Sequence, residues 1–353
     1  MAGGVTGREV RIAFAKHGAN SWGVAASVTK GMYFSSDGGL KFAPDIIEDD
    51  AFGQTFIQQS DIGNVQAPNP SLGAVARYND SSFIWEAVAM GSPSAVTIAT
   101  SAVGQVTSWT HQLDLAANLN GLGLTLAIDK VLYVDELTSA KVHGWTLEEG
   151  AGGLMRQTYY VTGSKATNIS SVNINSTVAG AIFPSLANRI LMRQGVFRMN
   201  TNAAGGLAAG DAVHAEKIKF TYNRPMDSPH VYGQDYVIEP ADNGFPTFGL
   251  EVTYPRMTQT SANSLRAGLE AATGWKADWT FLGSFINSTD QYKLLYQFPY
   301  LQVTDFEAQV TGANQVKPKA MFAARLATTS PTGMAFVNPF RLTRVLVNST
   351  VSF

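Results

Sequence analysis

Hydrophobic and polar side chains alternate with a period of two along much of the chain. In 123–129, Leu124, Leu126 and Ile128 alternate with Thr125, Ala127 and Asp129, a pattern that buries one face of a strand and wets the other. Residues 217–222 repeat it, with Ile218, Phe220 and Tyr222 on one face. Aromatic and β-branched enrichment predicts further strands over 112–116, 142–147, 156–162, 189–198, 248–254, 276–282, 292–303 and 319–325. Helical spacing is rare. Over 79–91, polar starters at Asp80 and Ser81, apolar Phe83, Ile84, Ala87 and Val88, and a closing Gly91 predict an amphipathic helix. Over 261–274, Leu265, Leu269 and Ala272 share a side, with Asn263 as starter and Gly274 as stop. The remainder of the first hundred residues reads as loop-rich, punctuated at Gly38, Gly39, Pro68 and Pro70.

The strand pattern recurs at long range. Segment 142–147 is echoed by 248–253, 154–163 by 275–283, 189–198 by 292–301, and 217–222 by 319–324. Any two alternating segments align passably, so it is the conserved order and similar spacing that favour a degenerate internal repeat. The implied organisation is a mainly β chain with two related antiparallel units, 106–228 and 229–353. An N-terminal arm and helix-containing region, 1–105, packs on the first unit.

Composition narrows the chemistry. The chain of 353 residues is 45% hydrophobic and only 15% charged, with 25 Lys and Arg against 27 Asp and Glu. Without a basic excess, tight phosphate binding lacks its usual electrostatic source. The absence of cysteine removes disulfide frameworks, thiolate metal sites and thiol nucleophiles. Arg8, Glu9 and Arg11 occupy the place where a secretory signal needs an apolar block, and 83–104 is broken by Glu86 and Pro93. An intracellular product with no membrane span is expected.

Candidate chemistry does not assemble from the motifs. His17, His111, His143, His214 and His230 have no partner at metal-ligand spacing. Gly150 to Gly153 lacks the downstream Gly and Lys of a phosphate cradle. Asp45, Glu48, Asp49 and Asp50 lack the alternating oxygens of a calcium loop, which leaves a solvated acidic loop. Trp275, Trp279 and Phe281 could stack sugars or bases, but burial on a strand face is the simpler reading. No catalytic, cofactor-binding or metal-ligating residue is assigned, and the expectation is a protein that is not an enzyme.

The run Thr110-His-Gln-Leu-Asp-Leu, then Leu124-Thr-Leu-Ala-Ile, Lys141-Val-His-Gly-Trp-Thr-Leu-Glu-Glu and Gly153-Leu-Met-Arg-Gln-Thr-Tyr-Tyr-Val-Thr-Gly resembles the tail tube proteins (major tail proteins) of long-tailed bacteriophages. Leu72-Gly-Ala-Val-Ala-Arg-Tyr before the predicted first helix fits the same pattern. The resemblance covers most of 8–165 and extends to the second half through the repeat. It implies a tail-tube-type antiparallel β-sandwich, internally duplicated, with one or two short flanking helices, and a non-enzymatic role in the virion tail. Subunits of that family form rings that stack into a tube. The lumen conducts double-stranded DNA without binding it specifically, and tape measure, tail terminator and distal tail proteins are the expected neighbours. Segments 134–139 and 166–184 are expected as extensions between rings.

Ring closure is physically reasonable. Strands about 4.8 Å apart and tilted by roughly 40° close a barrel about 45 Å wide with about 24 members, and closure removes exposed strand edges. Duplication favours a pseudo-sixfold trimer over a hexamer. Another virion structural protein, such as a capsid or decoration subunit, and a β-rich carbohydrate-binding module remain as alternatives.

Overall fold

A computed structural model describes residues 10–17, 22–35, 38–40, 44–47, 61–65, 68–79, 81–91, 95–98, 106–167, 170–234, 236–308 and 316–347, to which all structural statements refer. The strands are β1 (Arg11–Lys16), β2 (Lys30–Met32), β3 (Pro44–Ile47), β4 (Asp61–Val65), β5 (Ser71–Val75), β6 (Ala95–Ile98), β7 (Trp109–Asp114), β8 (Leu124–Asp129), β9 (Val134–Glu149), β10 (Met155–Gly163), β11 (Ala166–Thr167), β12 (Gly195–Thr201), β13 (Lys217–Asn223), β14 (Met226–Asp227), β15 (Ala241–Asp242), β16 (Thr247–Thr253), β17 (Gly274–Phe285), β18 (Gln291–Glu307), β19 (Lys319–Ala324) and β20 (Arg341–Leu346). The helices are α1 (Ser82–Met90), α2 (Asn175–Ala179) and α3 (Gln259–Glu270). The chain is mainly β, as expected from its period-two pattern.

Sixteen strands join one antiparallel sheet whose path runs β2-β1-β8-β9-β13-β16-β19-β18-β20-β7-β6, with β10, β5, β11, β12 and β17 as branches. The two longest strands create the branching. β9 carries β8 and then β13 along one edge and β10 with β11 along the other. β18 carries β20 and then β19 along one edge and β17 along the other. Close approach of β9 and β13 depends on Gly144, where a Cβ would lie 2.4 Å from the Tyr222 carbonyl oxygen. Between the strand groups, the Phe340 ring lies 4.9–6.3 Å from the rings of Trp145, Phe220, Phe248, Tyr296 and Phe298. These aromatic side chains form the centre of the core.

The predicted first helix exists but is not amphipathic: all nine residues of α1 are buried. A helix without a polar face requires neighbours on every side. Trp85 packs on Phe14, Phe34 and Tyr159, Phe83 on His111, and the Ala89 carbonyl accepts from the Tyr222 hydroxyl at 2.9 Å. Gly91 stops the helix at φ 70°, a left-handed conformation that suits glycine. Inside this shell Glu86 Oε1 accepts from Arg344 Nη2 at 2.6 Å and from Gln157 Nε2 at 2.7 Å. Arg344 also donates Nη1 to the Arg77 carbonyl at 3.1 Å. Both charged side chains are at most 1% exposed.

Several expectations need correction. β8 is buried on both faces rather than one, because α2 and the 22–28 segment cover its polar side, where Thr125 bonds His17, the Ala26 amide and the Thr138 carbonyl. The strand expected over 189–198 begins only at Gly195, after a one-turn 3₁₀ helix over Met192–Gln194. Strands β1 to β5 occupy much of the N-terminal region read as loops. The second helix starts from Thr258, whose hydroxyl accepts from the Ser261 amide, and Gly274 already belongs to β17. Residues 1–105 do not pack on the first unit alone, since α1 reaches β20 through Arg344. Four strand pairings, β13–β16, β12–β17, β7–β20 and β14–β15, cross the expected 228/229 boundary. The two halves therefore share one sheet and one core.

Removing one partner of a buried ion pair strands the other charge. Glu86→Ala is expected to lower unfolding stability by about 3–5 kcal/mol in urea titrations, whereas the double variant Glu86→Leu, Arg344→Met recovers much of that loss. Burial also raises the hydroxyls of Tyr78, Tyr222, Tyr254 and Tyr296 above their ordinary value of 10.0. A raised folded-state value stabilises fully below the unfolded value and is lost as pH rises beyond it. Cooperative unfolding above pH 10, accompanied by tyrosinate absorbance, is the expected alkaline behaviour.

Candidate assembly surface

One face of the central sheet, partly exposed on β13, β16 and β19 but buried at Thr146 of β9, is built by four adjacent strands, β9, β13, β16 and β19. Lys219 stands opposite Glu148 on one side and Glu251 on the other. Thr221 stands between Thr146 and Gly249, and Gly249 opposite Ala323. Small and hydroxyl side chains therefore fill the middle of this face. Two ion pairs lie on it beside the exposed Lys217: Lys219 Nζ lies 3.2 Å from Glu148 and Lys319 Nζ lies 3.0 Å from Glu251. The four paired side chains are about one-third exposed. Opposite charges set directly across a sheet are favourable pairs.

Strand order gives this face a repeat. β9–β13 and β16–β19 are both antiparallel pairs and follow each other along the sheet, so β9 and β16 run the same way, as do β13 and β19. Register places Phe220 opposite Leu147 and Phe322 opposite Leu250. The equivalent stretches are therefore Trp145-Thr-Leu-Glu148 and Phe248-Gly-Leu-Glu251, three residues away from the alignment that the sequence suggested. Of the other echoes, β17 pairs with β18, whereas among the described residues β10 and β12 do not pair and the Leu154–Leu191 bridge joins the residues that precede them. The pairing of first and fourth segments is thus the part repeated in space.

The segments expected as extensions lie against the body. Residues 134–139 belong to β9, where Val134, Asp135, Glu136, Leu137 and Ser139 are buried. Residues 170–184 fold back on β1 and β8: Asn173 Oδ1 accepts from the Val28 amide at 2.8 Å, its Nδ2 donates to Glu136 at 2.6 Å, and Val178 is fully buried. A separate hairpin, β3–β4, pairs only within itself and exposes Ile46 and Ile47. Tyr232 and Phe245 are exposed on the loops around β15.

The remaining sequence candidates are dispersed. His17 is buried in hydrogen bonds to Thr125 and Thr138, His111 lies under Phe83, and His214 and His230 are exposed. His143 bonds Asn223 at 3.3 Å, and burial pushes its imidazole below the usual value against that bond. No group of three metal-ligating residues occurs among the described residues. Asp45 lies in β3, while Glu48, Asp49 and Asp50 fall outside the described residues. Trp275, Trp279 and Phe281 are buried, as expected for a strand face. Trp279 and Phe281 also help line a cavity of about 70 Å³ with Met155, Met192, Phe197 and Val213. Among the described residues, no helix is long and apolar enough to cross a membrane.

No protein-family model matches the chain, and no curated protein matches it. The double variant Glu148→Gln, Glu251→Gln leaves Lys219 and Lys319 without their carboxylates. Because half-exposed pairs contribute about 0.2–1 kcal/mol each, unfolding midpoints should shift little. Retention on immobilised duplex DNA at low salt should rise, and the rise should vanish as salt is added.

Proposed function

We propose that this chain is a structural subunit of a bacteriophage tail tube, forming rings whose stacked lumen conducts double-stranded DNA. The observation that carries the reading is the four-strand polar face, in which the pair β9–β13 is followed in the same order and direction by β16–β19. A step along a sheet, rather than a reversal, is what two neighbouring staves of a pseudo-sixfold wall require. Three copies of a duplicated wall unit then complete the circle, and the trimer is preferred to a hexamer on that ground.

Electrostatics supports the same role. A conduit fails if it holds its cargo, and phosphate affinity grows with each cation left available to the duplex. On this face Lys219 and Lys319 are paired with glutamates while Lys217 is exposed, and the whole chain has a formal net charge of -2. The sequence resemblance to tail tube proteins points in the same direction. Location in the virion tail and contacts with tape measure and tail terminator proteins belong to this proposal.

Electron microscopy of the purified chain across a concentration series tests it. Hollow rings or rods of uniform width are expected, with threefold symmetry in class averages. Particles that remain monomeric at every concentration, or close into shells, overturn the reading.

A further inference from the structure

The outer side of β17 carries a lysine in an unusual setting. Lys276 is fully buried beneath the 202–208 and 331–334 loops, and its Nζ donates to the Ala204 carbonyl at 2.6 Å and the Thr332 carbonyl at 3.4 Å. Both carbonyls accept from the amine in either protonation state, and the neutral form keeps both bonds with its lone pair free. Burial lowers the lysine from its usual value, against the opposing influence of Asp211. Directly across the strand pair stands Asn200, a position about 4.5–5.5 Å away between Cβ atoms.

The carboxamide of Asn200 is held at both ends. Its Oδ1 accepts from the Thr201 amide at 2.7 Å, and its Nδ2 donates to Asp211 Oδ1 at 2.7 Å. Asp211 is fixed in turn by the Ala208 amide, which donates to Oδ2 at 2.7 Å. An N–H on the carbonyl oxygen stabilises negative charge developing there, and a carboxyl at the amide nitrogen is placed to relay a proton to a leaving group. The three side chains come from three separate elements: β12, the turn at 209–211, and β17.

We propose that Lys276 and Asn200 join in an intramolecular isopeptide bond, with Asp211 as the proton relay. The Lys276 amine attacks Cγ of Asn200, and the oxyanion forms against the Thr201 amide. Asp211 takes a proton from the attacking nitrogen and delivers it to Nδ2. The Cγ–Nδ2 bond breaks, one ammonia leaves, and one secondary amide remains. No oxidant, reductant or cofactor takes part. The product ties β12 to β17 covalently, across the two halves of the chain, and does not depend on the tube reading.

Intact-mass spectrometry of the denatured full chain decides the matter. The expected mass is below the sequence mass by one ammonia, and digestion should yield one branched peptide linking positions 200 and 276. Lys276→Met and Asn200→Ala should each return to their own sequence mass. Asp211→Ala keeps both reacting groups and should lose the link. A parent chain at its full sequence mass overturns the bond, and a linked Asp211→Ala variant overturns the relay.

Discussion

The ion pair between Glu86 and Arg344 is the constraint around which this fold is arranged. Neither charge reaches solvent, and their polar partners include each other, Gln157 and the Arg77 carbonyl. Those groups belong to α1, β20, β10 and the stretch after β5. Satisfying one carboxylate therefore sets the relative positions of four distant pieces of chain. The aromatic packing of Trp85 and Phe83 adds area, but area alone does not choose an orientation; the charged pair does.

Much of the fold was legible because period-two alternation survives wherever one sheet face is wet. β13, β16 and β19 alternate between buried and half-exposed positions, and each was found close to its true limits. The pattern fails where both faces are covered. β8 is buried throughout despite its Thr and Asp, and α1 hides Glu86, which in sequence reads as a polar face. β20 alternates as clearly as any strand but was not singled out. No local signal announces that Arg344 will face a carboxylate 258 residues away.

The assembly surface was only partly readable. The echo between halves was visible, yet its register was displaced by three residues, because strand-to-strand similarity has many nearly equivalent offsets. Pairing resolves it by placing Phe220 opposite Leu147 and Phe322 opposite Leu250. The Glu–Lys ladder needed that register too, since Glu148, Lys219, Glu251 and Lys319 are separated in sequence and meet only across strands. The same holds for Lys276, Asn200 and Asp211. Segment 134–139 was expected as an extension from the family resemblance, but Glu136 is occupied by Ser170 and Asn173.

The position of β20 has a temporal meaning. It sits between β18 and β7, its Arg341 clasps Asp114 across 227 residues, and it carries the arginine that α1 awaits. A ribosome delivers this strand after every other described strand. Until then Glu86 lacks Arg344, and β7 and β18 each lack the neighbour that β20 supplies. The contacts that β20 makes with β7 and α1 join segments more than 200 residues apart, and long-range closure of this kind is slow. Nascent copies crowded on one message are exposed to mispairing throughout that wait.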